Sequence, residues 1–274
     1  DLWAVDPRGV EEPRNLTEGF GRANEMELRY MTLEEDDETE GIDPTDDVLL
    51  EAFGTYTKQS GFYRDNFALS REPQELTMDD VSFGRPTKAE DGNEVILTRS
   101  TFQEYPDLWL TDTDFQNMEK ITEANPQQEE YVWGEAELVE WVSNDGIPLQ
   151  GILIKPEGFD PTQKYPMMVY FYERSSDGLH RYRTPGPGTS VNPSFYVSRG
   201  YVFFVPDIPY EIGHPGESAI DAVVPGVLKI VDEGYIDKDR IGAQGHSWGG
   251  YQLAYMITRT NLFAAVEGGA PVSN

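Results

Sequence analysis

The sequence predicts two architectures in one chain, antiparallel β-repeats over residues 1–133 and a mostly parallel, helix-covered sheet over residues 134–274. Three observations carry this reading. Dipeptide pairs recur at offsets of 13 to 14 residues within the first part. Buried-type strand runs alternate with helical periodicity in the second part, the pattern of a parallel sheet covered on both faces. And the run Gly245-His246-Ser247-Trp248-Gly249 stands between a short apolar strand run and a helical one.

In chain order, Leu2-Trp3 is answered by Leu16-Thr17, Phe62-Tyr63 by Leu76-Thr77, and Leu108-Trp109 by Ile121-Thr122. Between them lie β-type runs at 27–33, 48–57 and 94–100, separated by turn formers such as Asp91-Gly92-Asn93. Several short strands per repeat of roughly 45–60 residues predict β-propeller blades. A β-sandwich is the alternative. Two to three blades fit in 1–133, so a propeller would be partial here, with further blades expected upstream.

The polar segment 125–130, which contains Pro126, marks a boundary. After it, 138–142 and 149–154 flank Asn144-Asp145-Gly146, the turn chemistry of a β-hairpin. Buried strands are predicted at 167–172, 201–206 and 241–244, and at 264–268 after the elbow. A helix is predicted at 218–233, with Pro225-Gly226 expected to kink or interrupt it. Leu253, Met256 and Ile257 share one face of the helix after the Gly-x-Ser-x-Gly run.

That run has the form of a nucleophile elbow, in which a serine sits on a sharp strand-to-helix turn with its hydroxyl exposed. Three fixed positions arise by accident in roughly one chain in ten of this length, so the flanks decide. Strand before, glycines around and helix after predict the N-terminal half of an α/β-hydrolase domain over 134–274. Ser247 is the expected nucleophile and the backbone N–H of Trp248 an expected oxyanion donor. The other triad members normally follow the serine as Asp or Glu and then His. No histidine follows Ser247, and Glu267 is the only carboxylate side chain after it.

Composition bounds the rest. The 274 residues carry 21 basic and 50 acidic side chains, for a net charge of −29. The field is uneven: 33 acidic against 11 basic residues in 1–133 (−22), and 17 against 10 in 134–274 (−7). Such a field repels nucleic acid and anionic membranes, so neither is an expected partner. Seven of the basic residues are lysine, a balance that suits either a high-salt habitat or a plain solubilising surface. The run Glu34-Glu35-Asp36-Asp37-Glu38 reads as a solvated loop and lacks the alternate-residue spacing of a calcium loop. With no cysteine there is neither a disulfide framework nor a thiolate metal site. No histidine–carboxylate spacing matches zinc, so no metal and no cofactor is expected.

Four stretches resemble the prolyl oligopeptidase family of serine peptidases. Gly245-His246-Ser247-Trp248-Gly249-Gly250-Tyr251 is similar to that family's elbow, including the second glycine and the aromatic after it. Lys164-Tyr165-Pro166-Met167-Met168-Val169-Tyr170-Phe171-Tyr172 resembles the strand that leads to its oxyanion tyrosine. Asp145-Gly146 with Leu149, Gly151 and Lys155-Pro156 resembles the hydrolase entry hairpin, and Ala270-Pro271-Val272-Ser273 the segment ending the strand after the elbow helix. The likeness is to bacterial dipeptidyl-peptidase-like members. It implies a propeller joined to an α/β-hydrolase domain, a short-peptide substrate, and the hydroxyl of Tyr172 as second oxyanion donor. It also implies that the triad Asp and His lie outside residues 1–274, so that this stretch alone is expected to be inactive; the open sheet edge after 264–268 suggests a second polypeptide as partner, a proteolytic remnant or a longer gene. One departure is plain. Where many members carry Asp-x-Arg-Gly, this chain has Asp207-Ile208-Pro209-Tyr210.

Three histidines are present. His246 adjoins the nucleophile on a turn where successive side chains diverge, His180 lies in the loop after the oxyanion strand, and His214 reads as a turn residue, so none is an expected base. Arg174, Arg181 and Arg183 read as a solvated face or as a carboxylate-binding set. An esterase or lipase of the same fold, or a non-catalytic β-repeat binding module, are the alternative functions. A periplasmic or extracellular setting is expected, with the cytoplasm as the alternative.

Overall fold

A computed structural model describes residues 1–33, 41–69, 71–188 and 191–273, and divides the chain into two units. The first is Asp1–Pro126 with His180–Tyr182; the second is Gln127–Leu179 with Arg183–Asn274. The acidic run 34–38 lies outside the described residues. No helix among the described residues is long and apolar enough to cross a membrane.

In the first unit, Met26–Met31, Val48–Gly54, Ser60–Asp65 and Gln74–Asp79 form a four-stranded antiparallel meander. Strict alternation in Val48–Gly54 buries Val48, Leu50, Ala52 and Gly54. A second antiparallel sheet runs through Ser82–Phe83, Glu94–Ser100, Asp107–Asp112 and Glu119–Lys120, with Thr87–Lys88 also pairing with Glu94–Ser100. The two sheets share an apolar layer of Phe62, Leu76, Val95, Leu97 and Phe115, in which Phe62 stacks on Phe115 at 4.3 Å. Full burial of each such side chain contributes about 1.5–3 kcal/mol.

Two of the three recurrent pairs are one device used twice. Leu16 N–H donates to the Leu2 carbonyl (2.9 Å) and Leu2 N–H to Thr17 Oγ1 (3.1 Å). Ile121 N–H likewise donates to the Leu108 carbonyl (2.9 Å) and Leu108 N–H to Thr122 Oγ1 (2.9 Å). The preceding aspartates complete each clasp, Asp1 accepting from Gly21 N–H (2.8 Å) and Asp107 from Ala124 N–H (2.7 Å). The third pair is different. Phe62 sits opposite Thr77 in mid-strand, one residue out of that register.

The second unit is built on six strands: β1 (Glu135–Val142), β2 (Pro148–Lys155), β3 (Tyr165–Tyr170), β4 (Val202–Pro206), β5 (Ile236–His246) and β6 (Ala265–Gly269). Their order is β1-β2-β4-β3-β5-β6. The β1–β2 hairpin turns through Asn144-Asp145-Gly146, with Gly146 at φ 88°. β2 meets β4 antiparallel, and the pairs β4–β3, β3–β5 and β5–β6 are parallel. Helices α1 (Pro193–Val197), α2 (Pro215–Asp232) and α3 (Trp248–Met256) connect them. β4 is buried at every position, and Met167, Phe204, Val223, Val227, Ile241, Leu253 and Met256 belong to one core.

Helix α2 departs from expectation at both marked points. It begins at Pro215 rather than at residue 218, because proline is suited to a first turn whose N–H groups lack intrahelical partners. It also runs unbroken through Pro225. Proline removes the N–H that would bond the carbonyl of Asp221, and that carbonyl instead accepts from Asn144 N–H at 3.0 Å. One residue on, the Ala222 carbonyl accepts from the indole of Trp141 at 2.8 Å. Gly226 makes room for this seat, since a Cβ there would lie 2.8 Å from the Trp141 ring. The hairpin therefore supplies the bond that the proline takes away.

Candidate active site

β3 and β5 lie side by side and parallel, with Tyr170 opposite Gln244. The chain leaves both strands at the same edge of the sheet, the edge at which open α/β sheets place their ligands. Tyr172 follows β3 and Ser247 follows β5, so the fold brings these two sequence-predicted residues to neighbouring strand ends.

The turn at Ser247 is tight. Its backbone sits at φ 56°, ψ −111°, a sparsely populated conformation for a residue with a side chain. Main-chain bonds hold it there: Ser247 N–H donates to the Gly269 carbonyl (2.8 Å), and the Ser247 carbonyl accepts from Tyr251 N–H (3.1 Å) and Val272 N–H (3.3 Å). Two glycines are required by close approach. A Cβ on Gly245 would stand 2.3 Å from the Gly249 carbonyl oxygen, and one on Gly249 would stand 2.5 Å from that of Phe171. These distances explain the spacing of the motif. Trp248 is the first residue of α3, and Ser247 does not cap the helix with its side chain. First-turn N–H groups have no intrahelical acceptor, which leaves that of Trp248 suited to an anionic oxygen.

Tyr172 is 39% exposed, and its ring edge lies 3.8 Å from where a Gly249 Cβ would be. Its carbonyl is held twice. Gln252, on α3 and with no exposed surface, donates to it at 3.0 Å, and the Tyr210 hydroxyl donates to it as well. The Tyr210 hydroxyl also meets the Gln252 amide, and its ring stands edge-on to Trp248 at 6.4 Å. Burial, with the Glu173 charge adding to it, outweighs the bonds from Gln252 and Trp248 and pushes the Tyr210 pKa up to about 12. Tyr210 stays a neutral phenol throughout the neutral range. Nearby, the buried carboxylate of Asp207 accepts from Ser175 N–H (2.6 Å), Ser176 N–H (2.8 Å) and the Ser176 hydroxyl, fixing the loop that follows Tyr172.

The histidines are elsewhere or turned aside. His180 belongs to the first unit, 3.8 Å from Asp80; burial lowers its pKa, against the opposing charges of Asp80 and Asp79. It is mostly buried, not a surface residue of the loop after the oxyanion strand. His214 is exposed at the N-terminus of α2, where its carbonyl accepts from Ser218 N–H at 3.0 Å. His246 lies beside Gly269 together with Glu267, their Nδ1 and Oε1 atoms 3.2 and 3.4 Å from the position of a Gly269 Cβ. Arg174 forms a surface pair with Asp177 at 3.2 Å. Gln252 and Tyr210 were missed by the sequence reading. The only signal was that Pro209-Tyr210 stands where the resemblance places Arg-Gly.

Residues 187–274 match the model of the prolyl oligopeptidase family, a stretch that contains the elbow and β6. That match covers 88 of the 274 residues, and over this stretch the chain is similar to the prolyl oligopeptidase family. Members of this family are serine peptidases. Dipeptidyl peptidase 8 of Mus musculus and that of Homo sapiens are each 30% identical to this chain over 150 residues, half of it. That match spans 17% of either relative's length. Among solved structures, dipeptidyl peptidase 4 of Porphyromonas gingivalis superposes with a TM-score of 0.69 at 20% identity, over 99% of this chain and 38% of that one. The acylaminoacyl peptidase of Pyrococcus horikoshii gives 0.60 at 19% identity, over 83% and 36%. At these identities the likeness establishes the fold.

Proposed function

We propose that this protein is a serine peptidase that hydrolyses short peptides through an acyl-enzyme on Ser247. The observation that carries this reading is the strained Ser247 turn, placed at the end of β5 beside Tyr172 at the end of β3. In the proposed reaction the Ser247 hydroxyl adds to the peptide carbonyl while a histidine takes its proton. The amine then leaves with that proton, and water hydrolyses the ester. The tetrahedral oxyanion is held by Trp248 N–H and the Tyr172 hydroxyl, each worth about 2.7–4 kcal/mol of transition-state stabilisation if typical of such donors. The environments of His180, His214 and His246 favour a base from outside residues 1–274, either a further stretch of polypeptide or a second chain. β6, which pairs with β5 and exposes Val266, is the sheet edge we assign to that partner. The four-stranded meander and the five-stranded antiparallel sheet of the first unit support its reading as propeller blades, which would screen for short substrates.

The test is a fluorophosphonate probe together with dipeptidyl and aminoacyl chromogenic substrates, on the protein at its natural length. Labelling and turnover are expected, both abolished by Ser247→Ala, while residues 1–274 alone turn over neither substrate. Loss of the base costs on the order of a millionfold in comparable enzymes. Labelling that survives Ser247→Ala, or preference for long-chain esters over peptides, would defeat the reading.

A further inference from the structure

A transition-state donor is useful only if it is already aimed at the place where charge will develop. Tyr172 presents a difficulty in this respect, because with 39% of the residue in solvent its ring packing holds it only in part. Its backbone is held instead. The Tyr172 carbonyl receives Gln252 Nε2 at 3.0 Å and the hydroxyl of Tyr210, and these two side chains also meet each other. Gln252 is fully buried and lies one turn beyond Trp248 on α3, so one end of this grip is rooted in the helix that starts at the elbow. The other end is rooted in the loop after β4, where Tyr210 is steadied edge-on by Trp248.

We propose that Tyr210 and Gln252 are positioning residues for the Tyr172 hydroxyl, tying the oxyanion donor to the elbow helix through the Tyr172 main chain. This rests on the proposed roles of Ser247 and Tyr172. Because the donor acts in the transition state, loss of its aim lowers kcat and leaves KM nearly unchanged.

Two measurements test it on the protein at its natural length. In the first, Tyr210→Phe keeps the ring against Trp248 and removes the hydroxyl. It is expected to lower Ser247-dependent kcat about 10-fold with KM within about twofold, against a loss of about 100-fold for Tyr172→Phe. In the double variant Tyr172→Phe/Tyr210→Phe, kcat is expected to match Tyr172→Phe alone, because Tyr210 acts only through Tyr172. Gln252→Met should behave as Tyr210→Phe does. An unchanged kcat in Tyr210→Phe, or multiplying losses in the double variant, overturns the proposal. The second measurement needs no turnover. In protein carrying 3-fluorotyrosine, with the Tyr172 fluorine signal assigned by Tyr172→Phe, Tyr210→Phe should shift and reshape that signal. An unmoved signal overturns the proposal whatever the kinetics show. Absence of Ser247-dependent turnover in the unaltered protein would sink the peptidase reading alone, and the fluorine signal would still decide the grip on Tyr172.

Discussion

Replacing Ser247 by glycine removes the proposed nucleophile and also the strain that displays it, and the two effects can be separated. A residue with a Cβ at φ 56°, ψ −111° costs about 1–3 kcal/mol. The bonds that hold the turn to Gly269, Tyr251 and Val272 are all main chain to main chain, so they survive any side chain at 247. Ser247→Ala discards the hydroxyl and keeps the strained Cβ. Ser247→Gly discards both, but loses about 0.5–1 kcal/mol to the greater freedom of glycine in the unfolded chain. The balance favours glycine over alanine by about 1 kcal/mol, which at this chain length is about 2–4 °C in Tm. Urea denaturation of the two inactive variants, followed by tryptophan fluorescence under identical conditions, measures the difference directly. Glycine at an ordinary position would be the less stable of the two. An alanine variant equal to or more stable than the glycine variant would refute the claim that the elbow stores backbone strain.

Two further outcomes concern stability. Pro225→Ala should stabilise the protein by about 2–2.6 kcal/mol, because alanine favours a helix interior by about 3 kcal/mol and loses about 0.4–1 of that through the unfolded chain. The Asp221 carbonyl has a second lone pair for Asn144, so destabilisation in urea would show instead that the missing N–H is needed to seat the hairpin. Stability should also fall at alkaline pH. Burial raises the pKa of Tyr210 and Tyr235 to about 12 from an ordinary 10.0, and raises Tyr63 too. Each phenol then holds its proton more tightly folded than unfolded. Its contribution is complete below about pH 10 and is lost as pH climbs toward 12. A urea midpoint that is level or rising between pH 10 and 12 would contradict this.

What could be read from the sequence was what neighbouring residues decide among themselves. Asn144-Asp145-Gly146 is a turn because glycine accepts φ 88°. The elbow was legible for the same reason, its glycines and serine lying within five residues. The course of α2 was not. Nothing within a window around Pro225 shows that Asn144, 81 residues earlier, will bring an N–H to Asp221, or that Trp141 will fill the space over Gly226. The same limit hid the grip on Tyr172. Gln252 reads as one more position in a helix, and Tyr210 only as a departure from a familiar stretch, until β3, β4 and β5 are set side by side.

The end of β3 thus meets α3 in two complementary ways. At Phe171 the carbonyl comes so close to Gly249 that any side chain there would collide, and at Tyr172 the next carbonyl is taken up by Gln252 one turn along the same helix. A missing Cβ lets the helix approach, and a buried amide fastens it. Two successive peptide units just beyond one strand are therefore registered against one helix, and that helix begins beside Ser247. The second glycine position of the motif and the buried glutamine are parts of a single arrangement in which Ser247 and Tyr172 keep their separation. The two residues come from strands about 75 positions apart in sequence, yet Gly249 and Gln252 hold the chain after β3 directly against the helix that starts beside Ser247.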